Sequence, residues 1–126
     1  MDKPRILDIG DEHETVVVCL DEPGAGGACH EYRVRSVGFG KDGRTPPDEL
    51  ARVSFQNGPI KEKFVNGCQN EDLLAIVIDR LSGFQNGDFP CRENSVALTH
   101  CIEALTWLNN RTKARKKRGV EGKSEE

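Results

Sequence analysis

The stretch Asn70-Glu-Asp-Leu-Leu-Ala-Ile-Val-Ile-Asp-Arg-Leu81 decides the fold of this 126-residue chain. Asn70 is of a residue type that caps helix N-termini, and Glu71 and Asp72 follow it in the first turn, where the helix dipole favours negative charge. The aliphatic residues after them cover most of a helical surface. Because so short a chain cannot bury a helix on all sides, we expect this helix also to pack against a neighbouring subunit.

A second helix is predicted on the C-terminal side, over residues 92–117. Phe84 to Pro90 is predicted to connect the two helices, since Asn-Gly favours a turn and proline suits a helix start. Gly119 suits the C-terminal stop. Apolar residues at spacings of three and four predict one inward-facing stripe, made of Val96, Leu98, Cys101, Ile102, Leu105 and Leu108. The second half of the chain is therefore predicted to be an antiparallel helical hairpin.

The first half of the chain reads as β-structure. Residues 15–20 are rich in β-branched side chains, and residues 31–37 alternate polar and apolar side chains, so the two predict a hairpin of strands. Residues 5–9 and 50–55 are weaker strand candidates. The predicted fold class is α+β, a small N-terminal antiparallel sheet followed by a long antiparallel αα-hairpin that oligomerises. The predicted segments are a β segment over 1–58, the hairpin over 59–118 and a C-terminal tail over 119–126.

Composition and charge exclude several classes of protein. No apolar run approaches the length of a membrane span, and the N-terminus lacks the apolar stretch of a signal peptide, so a cytoplasmic location is expected. The formal net charge is only −3, but acidic residues crowd positions 1–31 and basic residues crowd the C-terminal end. Such a distribution predicts either head-to-tail packing of subunits or an anion site near the tail.

Neither catalysis nor a metal site is indicated by the sequence. The chain has five cysteines, an odd and widely spaced set that argues against a disulfide framework. Without a CxxC pair a structural zinc site has weak support, and the cysteines are interpreted as free thiols. No GxSxG, HExxH or Walker sequence is present, so we expect no catalytic residue, no cofactor and no metal.

Anion binding has better support. Arg111 and Arg115 are four residues apart on one helix face, where two guanidinium forks can grip two phosphates. At the other end of the helix, Arg92 offers another fork and Asn94 can contact a base or ribose, while Phe84 could stack on a purine. Seventeen positions, or about 25 Å of helix, separate Asn94 from Arg111. These groups can meet only if two hairpins pack antiparallel, which would create two equivalent sites.

Simpler interpretations of the same residues stay open at this point. Phe84 could be a core residue that closes the hairpin. Arg111 to Arg118 could be a solvated helix end, or part of a nucleic-acid-binding or protein-interaction module that uses the basic C-terminal helix end. The net negative charge and the lack of a second basic stripe argue against nucleic acid, and nothing indicates a membrane partner.

From Val53 to Lys123 the sequence resembles the helical hairpin shared by two groups of phage counter-defence proteins, the first Thoeris anti-defence family and the second anti-CBASS family. The matching motifs occur in order and span more than half of the chain. The small β segment before the hairpin sides with the Thoeris anti-defence family. The motifs are Phe55-Gln-Asn-Gly-Pro59, Asn66-Gly67, Asn70 to Leu81, Phe84-Gln85, Cys91-Arg-Glu-Asn94, Trp107-Leu108, Arg111-Thr112, Arg115 and Arg118-Gly-Val-Glu-Gly122.

This resemblance implies a sponge, a protein that holds an immune signal without cleaving it. The implied ligand is a cyclic ADP-ribose isomer (glycocyclic ADP-ribose), bound between paired hairpins in the cytoplasm of the infected bacterial host. The resemblance also implies cyclic trinucleotides as further ligands, and a homo-oligomer that is a dimer or a hexamer built as a trimer of dimers. The family site carries over onto Phe84, Asn94, Arg111 and Arg115, to which we add Arg92. Asn66 and Gly67 are the candidates for the trinucleotide pocket.

Overall fold

A computed structural model of the protein describes residues 4–38, 40 and 42–119. The chain divides into two compact units. The β unit is the described part of residues 1–58 with Val65–Cys68, and the helical unit is Pro59–Phe64 with the described residues from Gln69 onward. The elements are β1 Arg5–Leu7, β2 Thr15–Cys19, β3 Glu31–Ser36, β4 Glu49–Ser54, α1 Ile60–Lys63, α2 Asn70–Gln85 and α3 Arg92–Arg118.

The β unit is an antiparallel sheet with the strand order β1-β2-β3-β4. Its central strands β2 and β3 form the hairpin that the β-branched and alternating patterns predicted, with Val17 opposite Val34. Val18 and Cys19, at the end of β2, are buried. The edge strand β1 is shorter than the expected 5–9, and its three residues Arg5–Leu7 all pair with β2. The predicted α+β class, a small antiparallel sheet before a helical hairpin, is confirmed.

Residues 65–68 return to the β unit, an arrangement that the sequence pattern did not reveal. Cys68 forms a parallel bridge with Phe55, and its amide donates to the carbonyl of Ser54 at 2.9 Å. Gly67 lies so close to the backbone of Phe55 that a Cβ added at Gly67 would stand 2.4 Å from the Phe55 carbonyl carbon. Only glycine therefore fits at this position.

Helix α2 begins at Asn70, one residue earlier than expected, because Asn70 was predicted to be the cap and not the first helical residue. Gln69 is the N-cap residue, and Asn70 is already helical. The carboxylate of Asp72 accepts a hydrogen bond from the Gln69 amide at 2.8 Å, and the Gln69 side chain accepts one from the Asp72 amide in return. This reciprocal capping box moves the start of the helix, because Gln69 rather than Asn70 has the extended backbone that a cap requires.

Helix α3 has 27 residues against 16 in α2, and it ends at Gly119, whose φ of 77° confirms the predicted glycine stop. Its less exposed residues alternate at spacings of four and three, the period of a two-helix seam. The predicted stripe is wrong in two members, since Val96 and Ile102 are exposed. The seam of α3 is Asn94, Leu98, Cys101, Leu105, Leu108, Thr112 and Arg115, and that of α2 is Glu71, Leu74, Ile78, Leu81 and Gln85.

The connection between the helices is held by one side chain. The Gln85 amide nitrogen donates to the carbonyl of Cys91, and its oxygen accepts from the Cys91 amide, both at 3.0 Å. Gln56, in the earlier copy of the Phe-Gln-Asn-Gly motif, likewise donates to the Gly58 carbonyl and accepts from the Asn66 amide. The glutamine of the motif therefore has the same role at both places, because its side chain forms hydrogen bonds across the turn. The predicted connection of 84–90 starts too early, because Phe84 still belongs to α2.

Across the described ranges, no helix is both long enough and apolar enough to cross a membrane. Of the predicted C-terminal tail, residues 120–126 lie outside the part of the chain that the structure describes.

Candidate functional site

Phe84 lies in the last turn of α2 with 47% of its surface exposed, so it is not a core residue of the single chain. The guanidinium carbon of Arg80, one turn earlier, stands 4.9 Å from the centre of its ring. This cation–π contact orients the ring and adds a positive charge beside it. The turn end of the hairpin therefore offers a flat, exposed aromatic face that is electrostatically suited to an anionic nucleotide.

Arg92 and Asn94 lie in the first turn of α3, at the same end of the hairpin. Arg92 is exposed, and Asn94 is half-buried at the start of the seam. The Asn94 amide donates to the sulfur of Cys91 at 3.4 Å, which caps the helix. The backbone of Asn94 is thus fixed by the cap, and its side chain is placed at the mouth of the seam.

Arg111 and Arg115 lie near the other end of α3, and their surroundings differ. Arg111 is exposed and directly precedes the seam residue Thr112, whereas Arg115 is itself a seam residue and is only 7% exposed. The seam has a period of 3.5 residues, so two residues four apart do not both enter it at this point. Arg111 is the more accessible of the two guanidinium groups, and Arg115 is a charge held at the end of the seam.

One hairpin does not bring these two sets of residues together. α3 is continuous from Arg92 to Arg118, so the predicted separation of about 25 Å between Asn94 and Arg111 stands. Antiparallel helices place Phe84 with Arg92 and Asn94 at the turn, and leave the other two arginines at the opposite end.

Apolar side chains remain exposed along both long helices. In α2 no residue is fully buried, and in α3 the only buried residue is Arg115. Ile76 is 64% exposed and Trp107 is 73% exposed. Exposed apolar surface of this kind commonly marks an interaction face. The hairpin thus leaves apolar side chains uncovered within one chain, and the predicted subunit contact would require such side chains.

Asn66 and Gly67, the candidates for a second pocket, have local partners in the β unit. The Asn66 side chain accepts a hydrogen bond from the Asn57 amide and donates one to the Asn57 carbonyl, each at 2.8 Å. Gly67 is required by its close approach to Phe55. The structure explains why these residue types stand here without a ligand, and a trinucleotide pocket at this place stays a prediction.

Comparison with known proteins finds relatives of this hairpin. Residues 47–113 match the family model described as "Acb2/Tad1, hairpin domain". The chain belongs to the Acb2/Tad1 hairpin family. Over 77 residues it is also 57% identical to the protein named Thoeris anti-defense 1 of Bacillus phage SBSphiJ7, a match that covers 61% of this chain and 54% of that relative. The chain thus spans about half the length of the curated relative it matches.

The range matched to the Acb2/Tad1 hairpin family contains most of the candidate residues. Phe84, Arg92, Asn94 and Arg111 lie inside it, while Arg115 lies two residues beyond its end. The predicted relation to the first Thoeris anti-defence family is confirmed, and no comparison tests the individual site residues.

Arg80 is the residue near the site that the sequence reasoning missed. Its signal was present, because Arg80 and Phe84 are four residues apart on one helix, the spacing at which side chains meet. The signal was overlooked because Phe84 was expected in the connection, where no such helical pairing applies.

Proposed function

We propose that this chain is a phage counter-defence protein that binds a cyclic ADP-ribose isomer, glycocyclic ADP-ribose, and holds it without cleavage. Sequestration in the cytoplasm of the infected host would keep the signal of a bacterial TIR-domain sensor from the Thoeris effector. Family membership and the name of the Bacillus phage relative support an anti-Thoeris role. The observation that carries the proposal is a hairpin of this family with an aromatic, amide-bearing turn end and an arginine-bearing far end.

The binding site proposed here lies between two copies of the hairpin, packed antiparallel. In that arrangement the turn end of one copy, with Phe84 and Asn94, meets Arg111 and Arg115 of the other. The exposed aliphatic and aromatic residues of α2 and α3 supply the apolar surface that such a pair would cover. A ligand enclosed by two subunits is released only when the pair opens, which suits a protein that works by holding its ligand.

The two ends contribute different parts of the recognition. The ring of Phe84 already makes a cation–π contact with Arg80, so a purine stacked on this ring would lie beside a positive charge. Arg111 is exposed and can form two parallel hydrogen bonds to a phosphate. Arg115 adds its charge nearby from a buried position, where less side-chain freedom remains to be lost on binding.

The decisive experiment is a capture assay on the purified chain. The protein is incubated with filtrate from an activated TIR-domain enzyme, separated from free small molecules, denatured, and the released material is analysed by mass spectrometry. Recovery of intact cyclic ADP-ribose isomer supports sequestration. Release of an opened product would make the protein an enzyme, and absence of any nucleotide would overturn the Thoeris ligand.

The matched variants are Arg111→Ala and Lys113→Ala, which remove neighbouring positive charges from α3. Lys113 is exposed and is not placed in the site. We expect Arg111→Ala to weaken binding by a factor of about ten to a hundred, as expected for loss of a charge-assisted bidentate contact worth ~1.5–3 kcal/mol. Lys113→Ala should bind normally. Equal losses in both variants, removed by added salt, would indicate unspecific attraction of anions to the basic helix end.

The family resemblance extends the proposal to cyclic trinucleotides and to a hexamer, a trimer of paired hairpins. The test is calorimetric titration of a cyclic trinucleotide into protein already saturated with the cyclic ADP-ribose isomer. Undiminished binding supports a separate pocket, and competition places both ligands in one site. Asn66→Ala then tests the pocket itself, provided that circular dichroism shows an intact fold, because Asn66 also ties Asn57 in place.

A further inference from the structure

The end of the β2–β3 hairpin gathers three potential metal ligands that lie apart in the sequence. The sulfurs of Cys19 and Cys29 and a carboxylate oxygen of Asp21 all lie within 4.8 Å of one another. Both cysteines are buried and free, and Asp21 is half-buried. All three residues belong to the β unit, far along the chain from every residue of the proposed nucleotide site.

Strand register explains how the cluster forms. Cys19 ends β2 opposite Tyr32, and the Leu20 amide donates to the Glu31 carbonyl, so the chain leaving β2 faces the chain entering β3. The Asp21 carboxylate accepts hydrogen bonds from the amides of His30 and Glu31 at 3.0–3.1 Å. These bonds fix the carboxylate beside the two sulfurs. The spacing Cys19-x-Asp21-x7-Cys29 matches no common zinc motif, which is why the sequence argued against one.

The charges around the cluster suit a divalent metal. Two thiolates and one carboxylate carry three negative charges, which a divalent ion reduces to one. Arg5 supplies the remaining positive charge, since its guanidinium donates to the Cys29 sulfur at 3.6 Å. Outer hydrogen bonds of this kind support metal-bound ligands. The site is therefore neutral with the ion bound, an arrangement that a buried cluster tolerates.

A further buried polar atom lies next to these ligands in the sequence. His30 is 6% exposed, and within the described chain its Nδ1 is buried and has no hydrogen-bond partner. The His30 amide is one of the donors that hold Asp21. The imidazole is not one of the three grouped ligands, but an unsatisfied buried nitrogen is unusual and often accompanies a binding site.

From this cluster we propose that the β unit binds a Zn²⁺ ion through Cys19, Asp21 and Cys29. Soft thiolate sulfur selects zinc over calcium or magnesium, and two sulfurs with one carboxylate supply three of the four ligands of a tetrahedral site. Bonds of about 2.3 Å to sulfur place two tetrahedral sulfurs about 3.8 Å apart, so the ligands need to close by no more than about 1 Å. Binding converts two thiols to thiolates and releases two protons to solvent.

The test uses the full chain, reduced and freed of metal, with Co²⁺ as a spectroscopic probe for zinc. Tetrahedral cobalt bound by two thiolates is expected to give a sulfur-to-cobalt charge-transfer band that saturates at one ion per chain and is displaced by Zn²⁺. The absence of that band at excess Co²⁺ overturns the proposal without any variant. The proposal is also overturned if Cys19 and Cys29 form a disulfide in air and the reduced protein does not bind the metal.

Variants then assign the ligands. Cys29→Ser and Asp21→Asn should each weaken Zn²⁺ binding by more than about a hundredfold, since each removes a direct ligand rather than an outer one. Cys91→Ser is the matched control, because Cys91 is an exposed thiol in the other unit and should bind zinc as the parent does. If Cys29→Ser fails to fold, the Asp21→Asn variant and the cobalt spectrum of the parent protein decide whether the metal binds at this site. Full binding by both variants places the metal elsewhere and rejects this site.

Discussion

The two units of the protein differ in how far they bury their apolar side chains. In the β unit, Val18, Cys19 and Cys29 are buried, and polar groups such as Asp21 and Asn66 find partners within the unit. In the helical unit, neither long helix buries an apolar side chain, and the one buried residue of α2 and α3 is Arg115. The β unit also leaves apolar side chains such as Ile6 and Leu50 exposed, but it has a small buried core, whereas neither long helix of the hairpin buries an apolar side chain. The proposed subunit pairing and ligand site follow from that contrast.

The largest expected effect is on the unfolding free energy, when a glycine of the β unit and a glycine of the hairpin are each replaced by alanine. Gly67→Ala would place a Cβ 2.4 Å from the backbone of Phe55, so we expect a loss of about 3 kcal/mol in unfolding free energy by urea denaturation. Gly83→Ala meets nothing within 4 Å and lies inside α2, so it should stabilise by about 0.5–1 kcal/mol. Equal effects at both positions would contradict the contrast in packing.

A second pair of variants separates folding from association. Val18→Ala should lower the unfolding free energy by about 2 kcal/mol and leave the oligomer unchanged, because Val18 is buried within the sheet. Ile76→Ser should leave the single chain nearly as stable and weaken self-association by a factor of about ten to a hundred, since burial of one isoleucine contributes ~1.5–3 kcal/mol. Sedimentation velocity over a dilution series measures the association. An unchanged sedimentation profile for Ile76→Ser would remove this face from the interface.

The duplicated glutamines give a third comparison between the units. Gln56→Ala and Gln85→Ala each remove two side-chain hydrogen bonds across a turn, so each should cost about 1–2 kcal/mol of unfolding free energy. The Gln85 change should also weaken ligand binding, because Phe84 and Asn94 flank the connection that Gln85 holds. Gln56→Ala should leave binding intact, which makes it the control. Weakened binding in both variants would point to a site that involves the β unit.

The smallest effect is a pH dependence confined to the β unit. Burial pushes the pKa of Asp21 upward, but hydrogen bonds from the Glu31 and His30 amides outweigh it, and the pKa lies below its usual value. A depressed pKa means that Asp21 stabilises the fold above about pH 4 and loses that contribution as the pH falls through the folded value. Asp21→Asn should therefore flatten stability against pH just below pH 4. Asp42, whose pKa is about 2 because the Thr45 and Arg44 amides donate to it, should act only at lower pH.

Sequence reasoning located the regular elements better than their ends. β-branched alternation found β2 and β3, and aliphatic density found α2, because these signals arise from the residues themselves. The cap at Gln69 and the last turn of α2 were misplaced, since side-chain bonds from Asp72 and Gln85 set those boundaries. The short helix α1 was not foreseen, as four residues carry too little periodicity to detect.

The candidate site was only partly predictable, for a different reason. Helical spacing predicted one common face for Arg111 and Arg115, but only Arg115 is buried. Burial depends on the phase of the seam, which the predicted stripe had wrong at Val96 and Ile102. The cluster of Cys19, Asp21 and Cys29 was invisible to spacing, because strand register rather than sequence distance brings it together.

The chain crosses between its two units three times before α2 begins, at 58/59, 64/65 and 68/69, and these crossings limit how the protein can be divided into parts. Residues 59–64 belong to the helical unit, residues 65–68 return to the β unit, and the family match begins at residue 47, ahead of β4. The range matched by the family model and the compact helical unit therefore have different borders. A hairpin transplanted by its family borders takes the edge strand of the sheet with it, and a sheet cut at residue 58 loses the segment that carries Gly67. Gene fusion or exchange in this family should succeed only where both borders are respected.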